Sequence, residues 1–314
     1  MANITSVAST YAGNAATPYI SRALLGAKTI AQDGVTVYPN IKRREVIKRL
    51  DMSNLLQAYS CDFSASGSLV ITEVVLQPVE FKINKQECVN TFKQTWDAER
   101  MRAGASSQDI PFNQFIVDQI IANTAQANEL LLWRGQFQVF TGDLAYLNLA
   151  KGYLKILFDA DLPGTAGGVN EPVTVNSTTL TAANIIAEIG AVYQAIPDQI
   201  KDSPELRLYV SPATGGLYRQ AVASVQKNDT NSNPTLMYLD LPIIVCPGML
   251  NNQMVCAERT NLFFGTDLVS DWNEVKVIDM SENDGSDNVR YKLKFTFDTA
   301  IGYVPEVVYY RPAK

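Results

Sequence analysis

The sequence predicts an α+β protein with two lobes, and three features carry that prediction. A long pair of strand-like runs lies within residues 35–84, a strongly periodic helix covers residues 112–134, and helices alternate with strands over residues 143–257. The 314 residues are enough for two compact domains, or for one elongated molecule whose core is shared between two lobes.

Residues 1–34 are rich in alanine, serine, threonine and asparagine. They show no sustained helical or strand period, which predicts an extended arm. Such a segment cannot bury enough apolar area by itself to offset the entropy that is lost on ordering. We therefore expect another subunit to hold this arm.

Residues 35–84 predict two long strands around a small, polar tip at residues 64–68. The second strand keeps an approximate two-residue alternation of apolar residues, with a slip near Glu73. Because a two-stranded hairpin is marginal in water, we expect a hairpin of this length to lie against another subunit. Its candidate contact residues are Phe63, Leu69, Ile71, Val74 and Leu76.

The run "IKRREVIKR", residues 41–49, is a basic cluster. It has two interpretations, contact with phosphates or pairing with acids of a neighbouring chain. We favour the second, because phosphate binding usually recruits a broader positive field. The candidate residues for these inter-subunit contacts are Lys42, Arg43, Arg44, Lys48 and Arg49.

Residues 112–134 carry the strongest helical pattern of the chain. Apolar side chains are predicted to share one stripe at Phe112, Ile116, Ile120, Ala127 and Leu131. Pro111 suits the first turn and Gly135 suits the end. At 1.5 Å per residue such a helix is roughly 34 Å long, which is the length of a structural spine.

Residues 143–257 predict an α/β lobe. One helix has apolar residues Ile185, Ile189, Val192 and Ile196 at helical spacing, the run "LRLYVS" follows as a buried strand, and Ser211 with Pro212 caps the next helix. The tail returns to sheet structure, with a turn at Asp284 and Gly285 before an alternating strand. The apolar positions of that strand are Val289, Tyr291, Leu293, Phe295 and Phe297.

The composition narrows the functional classes. The chain has no histidine, so it lacks the usual general base of serine and cysteine nucleophiles and the commonest zinc ligand. A net charge of −6 provides no global field that would attract nucleic acid or an acidic membrane. Four cysteines without a metal-binding spacing favour a reducing compartment, and no signal peptide, membrane span or cofactor is expected.

Three possible chemical sites have simpler structural interpretations. Ser224 and Lys227 match the S-x-x-K element of penicillin-recognising enzymes and residues 286–288 match S-D-N, but no K-T-G is present and Ser224 ends a helix instead of opening it. A calcium loop starting at Asp279 fails because Arg290 occupies its twelfth position. The acids Glu258, Asp267 and Asp271 are interpreted as turn residues between strands.

The order of these parts resembles the major capsid protein of tailed bacteriophages, whose shell fold is shared with herpesvirus capsids and encapsulin nanocompartments. The resemblance covers nearly the whole chain. Its most specific features are the C-terminal runs "LDLPIIVCPGML", "AERTNLFFGTDLVSDWNEVKVIDM" and "NVRYKLKFTFDTAIGYVPEVVYY", together with "ELLLWRG" and "LRLYVSPATGGLYRQAV".

This resemblance implies a division of the chain into an N-terminal arm (1–34), an extended loop (35–84), a peripheral domain (85–142 and 258–314) and an axial domain (143–257). It implies a non-catalytic subunit that self-assembles as hexamers and pentamers into an icosahedral shell around double-stranded DNA, bound without sequence specificity. The implied partners are a portal and separate scaffolding or decoration proteins, and the implied location is the virion, assembled in the host cytoplasm. No charged helical leader precedes the arm, so a fused scaffold is not expected, and no lysine and asparagine pair for cross-linking is identified.

Three other functions remain open at this stage. An encapsulin-like nanocompartment shell has the same fold and differs in its cargo. A serine acyl-transfer hydrolase would use Ser224 and Lys227, and a surface-binding module would stay monomeric at every concentration.

Overall fold

The computed structural model describes residues 9–12, 17–53, 56–59, 61–62, 65–88, 112–161, 171–225, 236–267, 274–281 and 285–312. The helices in these ranges are α1 (Thr17–Leu25), α2 (Lys28–Ala31), α3 (Phe112–Arg134), α4 (Tyr153–Ala160), α5 (Ile185–Gln194) and α6 (Pro212–Val225). None of these described helices is long and apolar enough to cross a membrane. The described strands form two six-stranded sheets and one two-stranded sheet, which confirms the predicted α+β class.

The first sheet is organised around its longest strand, β13. Its members are β1 (Ser9–Ala12), β2 (Thr36–Tyr38), β5 (Val79–Cys88), β11 (Leu262–Gly265), β12 (Glu274–Asp279) and β13 (Asn288–Ile301). The strand order is β1-β12-β13-β11-β2, and β5 pairs with β13 antiparallel. The five apolar residues predicted to alternate along β13 are all buried, which confirms that pattern.

Helix α3 begins at Phe112 and ends at Arg134, as the sequence predicts. Its buried side matches the predicted stripe at Leu131 but is displaced by about one residue earlier in the helix: Val117 and Ile121 are buried, whereas Ile120 and Ala127 are only partly so. The buried side also carries three polar residues, Thr124, Asn128 and Glu129. A stripe drawn through apolar residues alone omits these positions, which explains the displacement.

Residues 17–31 form helices α1 and α2 and pack on α3, in contrast to the extended arm that composition predicts. Leu24 is fully buried in the main core. The Glu129 carboxylate accepts hydrogen bonds from the backbone N–H (2.9 Å) and the hydroxyl (2.5 Å) of Thr29, and the Trp133 indole donates to the same hydroxyl at 2.9 Å. This part of the segment is therefore held by its own chain.

The second sheet forms the α/β lobe. Its order is β6 (Val173–Ser177), β14 (Val308–Pro312), β10 (Met254–Glu258), β7 (Leu206–Val210), β9 (Leu241–Val245) and β8 (Met237–Tyr238). The predicted apolar stripe of α5 and the strand β7 are buried in a second core, and the Ser211 hydroxyl accepts a hydrogen bond from the N–H of Thr214 at the start of α6. The last strand, β14, lies in this sheet and not beside β13, so the chain crosses between the two sheets at residues 302–307.

A separate two-stranded sheet forms the predicted hairpin. Strands β3 (Glu45–Ser53) and β4 (Ser68–Leu76) pair antiparallel in regular register, from Glu45 opposite Leu76 to Ser53 opposite Ser68. At about 3.4 Å per residue, nine residues span roughly 30 Å. The predicted hairpin is longer, because residues 35–84 also include β2 and the start of β5. Those two strands belong to the first sheet and not to the hairpin.

Candidate assembly surface

The register of the hairpin divides its side chains between two faces. Successive residues of a strand point to opposite sides of the sheet. One side, here called the outward face, carries Val46, Lys48, Leu50, Leu69, Ile71, Glu73 and Val75. The opposite side, the inward face, carries Ile47, Arg49, Val70, Thr72, Val74 and Leu76, of which Val70, toward the tip, is 50% exposed.

The outward face is apolar and uncovered. Leu50 and Ile71 lie opposite each other and are 51% and 54% exposed, and Leu69 is 60% exposed. Eight of the fourteen exposed large hydrophobic side chains in the described ranges lie between residues 46 and 75, including Leu56 and Tyr59 near the tip. Apolar surface concentrated in this way marks a contact surface for another molecule.

The inward face packs on the hairpin's own chain near its base. Leu76 is fully buried in a small core with Ile41, Phe263 and Ala300, and Val74 packs against that core. Leu76 was predicted to contact a neighbouring subunit, but this burial leaves it unavailable for such a contact. The slip near Glu73 has the same origin: the apolar residues of β4 change from the outward face to the inward face where the hairpin meets its own body.

A half-buried carboxylate fixes the chain where the hairpin rejoins the first sheet. Asp298 accepts hydrogen bonds from the backbone N–H of Gln77 (2.6 Å) and from that of Thr299 (2.8 Å). Burial nevertheless raises the pKa of Asp298 above its usual value of 3.8. The base of the hairpin is thus held by polar contacts as well as by apolar packing.

The five basic candidates fall into three environments. Lys42, Arg43 and Arg44 are exposed in the turn before β3. Lys48 forms an ion pair of 3.0 Å with Glu73 on the outward face. Arg49 pairs with Glu306 of its own chain, so the acids that bind Lys48 and Arg49 here do not come from a neighbour.

Two candidate residues, Phe63 and Lys227, lie outside the described ranges. The proposed serine partner, Ser224, donates its hydroxyl hydrogen bond to the carbonyl of Ala221 at 2.6 Å. It lies in the last turn of α6, where no helix N-terminus is available to it. The contacts of Ser224 are those of an ordinary helical serine.

The acids between β10 and β13 have structural contacts. The Asp267 N–H donates to the Thr296 hydroxyl at 2.9 Å, and Asp267 forms an isolated bridge with Asn40. The Ser281 N–H donates to Asp279 in a local turn at 2.9 Å. Asp271 lies outside the described ranges, and among the described residues no group of three acids, cysteines or histidines could hold a metal ion.

Sequence reasoning missed two aspects of this surface. It treated the apolar residues of β4 as one set, although the register splits them between the exposed outward face and an inward face that is buried only near the base of the hairpin. It also assigned Arg49 to a neighbour, although Glu306 lies 257 positions away in the same chain. In the sequence, the slip in alternation near Glu73 indicates the change of face, but no local pattern indicates that Arg49 pairs with Glu306.

The fold is shared with solved shell structures. A cyanophage A-1(L) capsid structure matches with a TM-score of 0.56 at 11% identity, over 99% of this chain and 94% of that chain. The capsid of an empty GTA particle matches with a TM-score of 0.55 at 10% identity, over 94% and 91% of the two chains. A virus-like particle from Pyrococcus furiosus gives a TM-score of 0.51 at 9% identity, over 95% and 98%.

No family model and no curated protein matches the sequence. The structural matches cover nearly the whole of this chain and of their own chains, so the similarity concerns the complete architecture and not one lobe. The chain thus has the fold of these capsid and virus-like particle structures.

Proposed function

We propose that this chain is the major capsid protein of a tailed bacteriophage, a structural subunit that builds an icosahedral shell around double-stranded DNA. One observation carries the proposal: a chain with a capsid fold presents an apolar hairpin face that nothing in its own described structure covers. A second copy of the same chain is the natural cover, because a closed shell is built from one contact set repeated around it.

The energy available from the outward face is modest for each copy. A fully buried large apolar side chain contributes about 1.5–3 kcal/mol, so half-exposed Leu50, Leu69 and Ile71 would each gain about 1 kcal/mol on being covered. Contacts of this size allow a misplaced subunit to leave, while many of them together stabilise the shell. The exposed residues Lys42, Arg43 and Arg44 add candidate ion pairs with acids of the neighbour.

The assembly that fits this fold consists of hexamers and pentamers, with the α/β lobe as the axial domain around their centres. The proposed domain limits are 1–34, 35–84, 85–142 with 258–314, and 143–257, with two exchanges across them: residues 17–31 pack on α3, and β14 joins the sheet of the axial domain. The shell would receive DNA through a portal and assemble in the host cytoplasm, with separate scaffolding or decoration proteins. The net charge of −6 suits a container that does not bind DNA tightly.

Negative-stain imaging and light scattering of the expressed full-length chain test this proposal directly. Wild type should form closed shells, hexamers or pentamers, and the double variant Leu69→Asp/Ile71→Asp should reduce the yield of closed shells at least tenfold, because two charges cannot be buried under a neighbour. The control is Val139→Asp, a change at a highly exposed apolar residue outside the hairpin. Wild type that stays monomeric at all concentrations, or equal losses in both variants, would contradict the proposal.

The contents of the shell distinguish the proposed function from an enzyme-filled nanocompartment. Particles isolated from infected cells should contain double-stranded DNA that resists added nuclease until the shell is opened. Particles that contain protein cargo and no protected DNA would instead support the nanocompartment. A covalent fluorophosphonate adduct on Ser224 would favour the hydrolase.

A further inference from the structure

We propose that Arg49, Tyr303 and Glu306 form a latch that holds the hairpin against its own body and sets the direction of its outward face. The proposal concerns the single chain. Its consequence for shell assembly rests on the proposed function, whereas its effect on the hairpin does not.

The latch is a two-pronged contact. The Arg49 guanidinium donates from Nη1 to Glu306 Oε2 at 2.8 Å and from Nη2 to Glu306 Oε1 at 2.6 Å. The same guanidinium lies over the ring of Tyr303, with its carbon 4.2 Å from the ring centre. Paired hydrogen bonds together with a stacked ring fix both the distance and the orientation of the group, which a single surface ion pair does not.

The receiving side of the latch is rigid. The Asn261 side chain donates to the carbonyl of Tyr303 at 2.8 Å and accepts from its N–H at 2.6 Å. A side chain at Gly302 would lie 2.8 Å from both Asn261 and Phe263, so this turn is closely packed. Glu306 is 8% exposed, which places its carboxylate in a preformed site rather than on a mobile loop.

The latch is the second of two attachment points of the hairpin. The first is the small core at its base, where Leu76 and Ile41 are buried. Arg49 is the fifth of nine residues in β3 and therefore lies halfway along the hairpin. One attachment point allows a strand pair to pivot and two fix its direction, so the outer half with Leu50, Leu69 and Ile71 projects at a defined angle.

The buried position of Glu306 determines which variants are informative. Removing Arg49 alone leaves a buried carboxylate without its partner, which can destabilise the fold as a whole. The double variant Arg49→Met/Glu306→Gln removes both charges and keeps side chains of similar size. The exchanged pair Arg49→Glu/Glu306→Arg restores an ion pair, with the negative charge on the hairpin and the positive charge on the turn.

Hydrogen–deuterium exchange on the full-length chain, below the concentration at which it assembles, reports on the hairpin. Amides of β3 and β4 should exchange about tenfold faster in Arg49→Met/Glu306→Gln, a factor that corresponds to about 1.4 kcal/mol. The exchanged pair should recover at least part of this protection. The matched control is Lys48→Met, the neighbouring residue whose ion pair lies on the outward face, and it should change the rate less than twofold.

Unchanged hairpin exchange in the neutral double variant would overturn the latch, as would equal acceleration in the Lys48→Met control. Exchange that rises equally in β3, β4 and α3 would also overturn it, because it would show general unfolding. Imaging of the same variants separates the two proposals. If the neutral double variant exchanges faster in the hairpin and forms fewer or misshapen shells, both proposals are supported. If the variant exchanges faster but wild type itself never assembles, the latch is supported and the capsid function is contradicted.

Discussion

The N-terminal helices and the hairpin have similar predicted roles and opposite structures. Both are interpreted from sequence as segments that depend on another subunit. In the structure, residues 17–31 are tied to α3 by Thr29, Glu129 and Trp133, while the outer half of the hairpin keeps its apolar face uncovered. The difference shows that a segment without a clear periodic pattern can still be held by its own chain, here through buried apolar residues such as Leu24 together with the buried polar contacts of Thr29.

The largest expected difference between these regions comes from matched leucine substitutions. Leu24→Ala in α1 should lower the free energy of unfolding by about 2–5 kcal/mol, because it leaves a cavity in a closed core. Leu69→Ala on the hairpin should change it by less than about 0.5 kcal/mol, because that side chain is already exposed. Urea unfolding of unassembled chains measures both, and equal losses would remove the distinction.

A smaller effect is expected from the polar contacts of the N-terminal helices. Glu129→Ala should cost about 2–4 kcal/mol, because it leaves the buried donors of Thr29 without an acceptor. Asp118→Ala, on the same helix, removes a surface ion pair with Arg22 and should cost less than about 1 kcal/mol. If the two variants lose equal stability, the buried network does not hold the segment.

The smallest effect concerns the pH dependence of that network. Burial raises the pKa of Glu129 above its usual value of 4.5, with hydrogen bonds from Thr29 and Gly248 and the charge of Lys28 opposing it. Between 4.5 and the raised pKa the folded state binds more protons than the unfolded state, so this residue's contribution to stability falls as pH rises. Glu129→Gln cannot titrate, so the stability of wild type relative to this variant should decline from pH 4.5 upwards, by about 1.4 kcal/mol for each unit of raised pKa.

Urea midpoints of wild type and Glu129→Gln, measured across that pH range, provide the test. Parallel profiles would show that Glu129 titrates alike in the folded and unfolded chains. The variant keeps the shape of the side chain but replaces one acceptor oxygen with a donor NH2, so a loss that is equal at every pH would report the missing hydrogen bond from Thr29 and not titration.

Patterns that repeat within one element are predictable from the sequence. The limits of α3 follow from the end signals Pro111 and Gly135, whereas the alternation along β13 and the stripe of α5 follow from apolar periodicity, because each element buries one face continuously. The hairpin itself is predictable for the same reason. Helix α1 was not predicted, because its nine residues are too short for a sustained period and lie in a stretch whose composition suggests an extended arm.

Contacts between distant parts of the chain were not predictable. Thr29 is hydrogen-bonded to Glu129, 100 positions later, and Arg49 is hydrogen-bonded to Glu306, 257 positions later. The placement of β14 in the second sheet also depends on strand pairing and not on the composition of that strand, which is apolar enough for either sheet. The sequence therefore predicts the apolar residues of the assembly surface, but only the structure shows which of them are exposed.

The turn that receives Arg49 is also one of the places where the chain passes from one sheet to the other. β13 ends at Ile301 and β14 begins at Val308, with Tyr303 and Glu306 between them. A force applied to the hairpin by a neighbouring molecule would therefore pass through Arg49 and Glu306 to the segment that joins β13 to β14. Because this segment continues into β14 of the second sheet, the Arg49–Glu306 contact connects the hairpin to both sheets of its own chain.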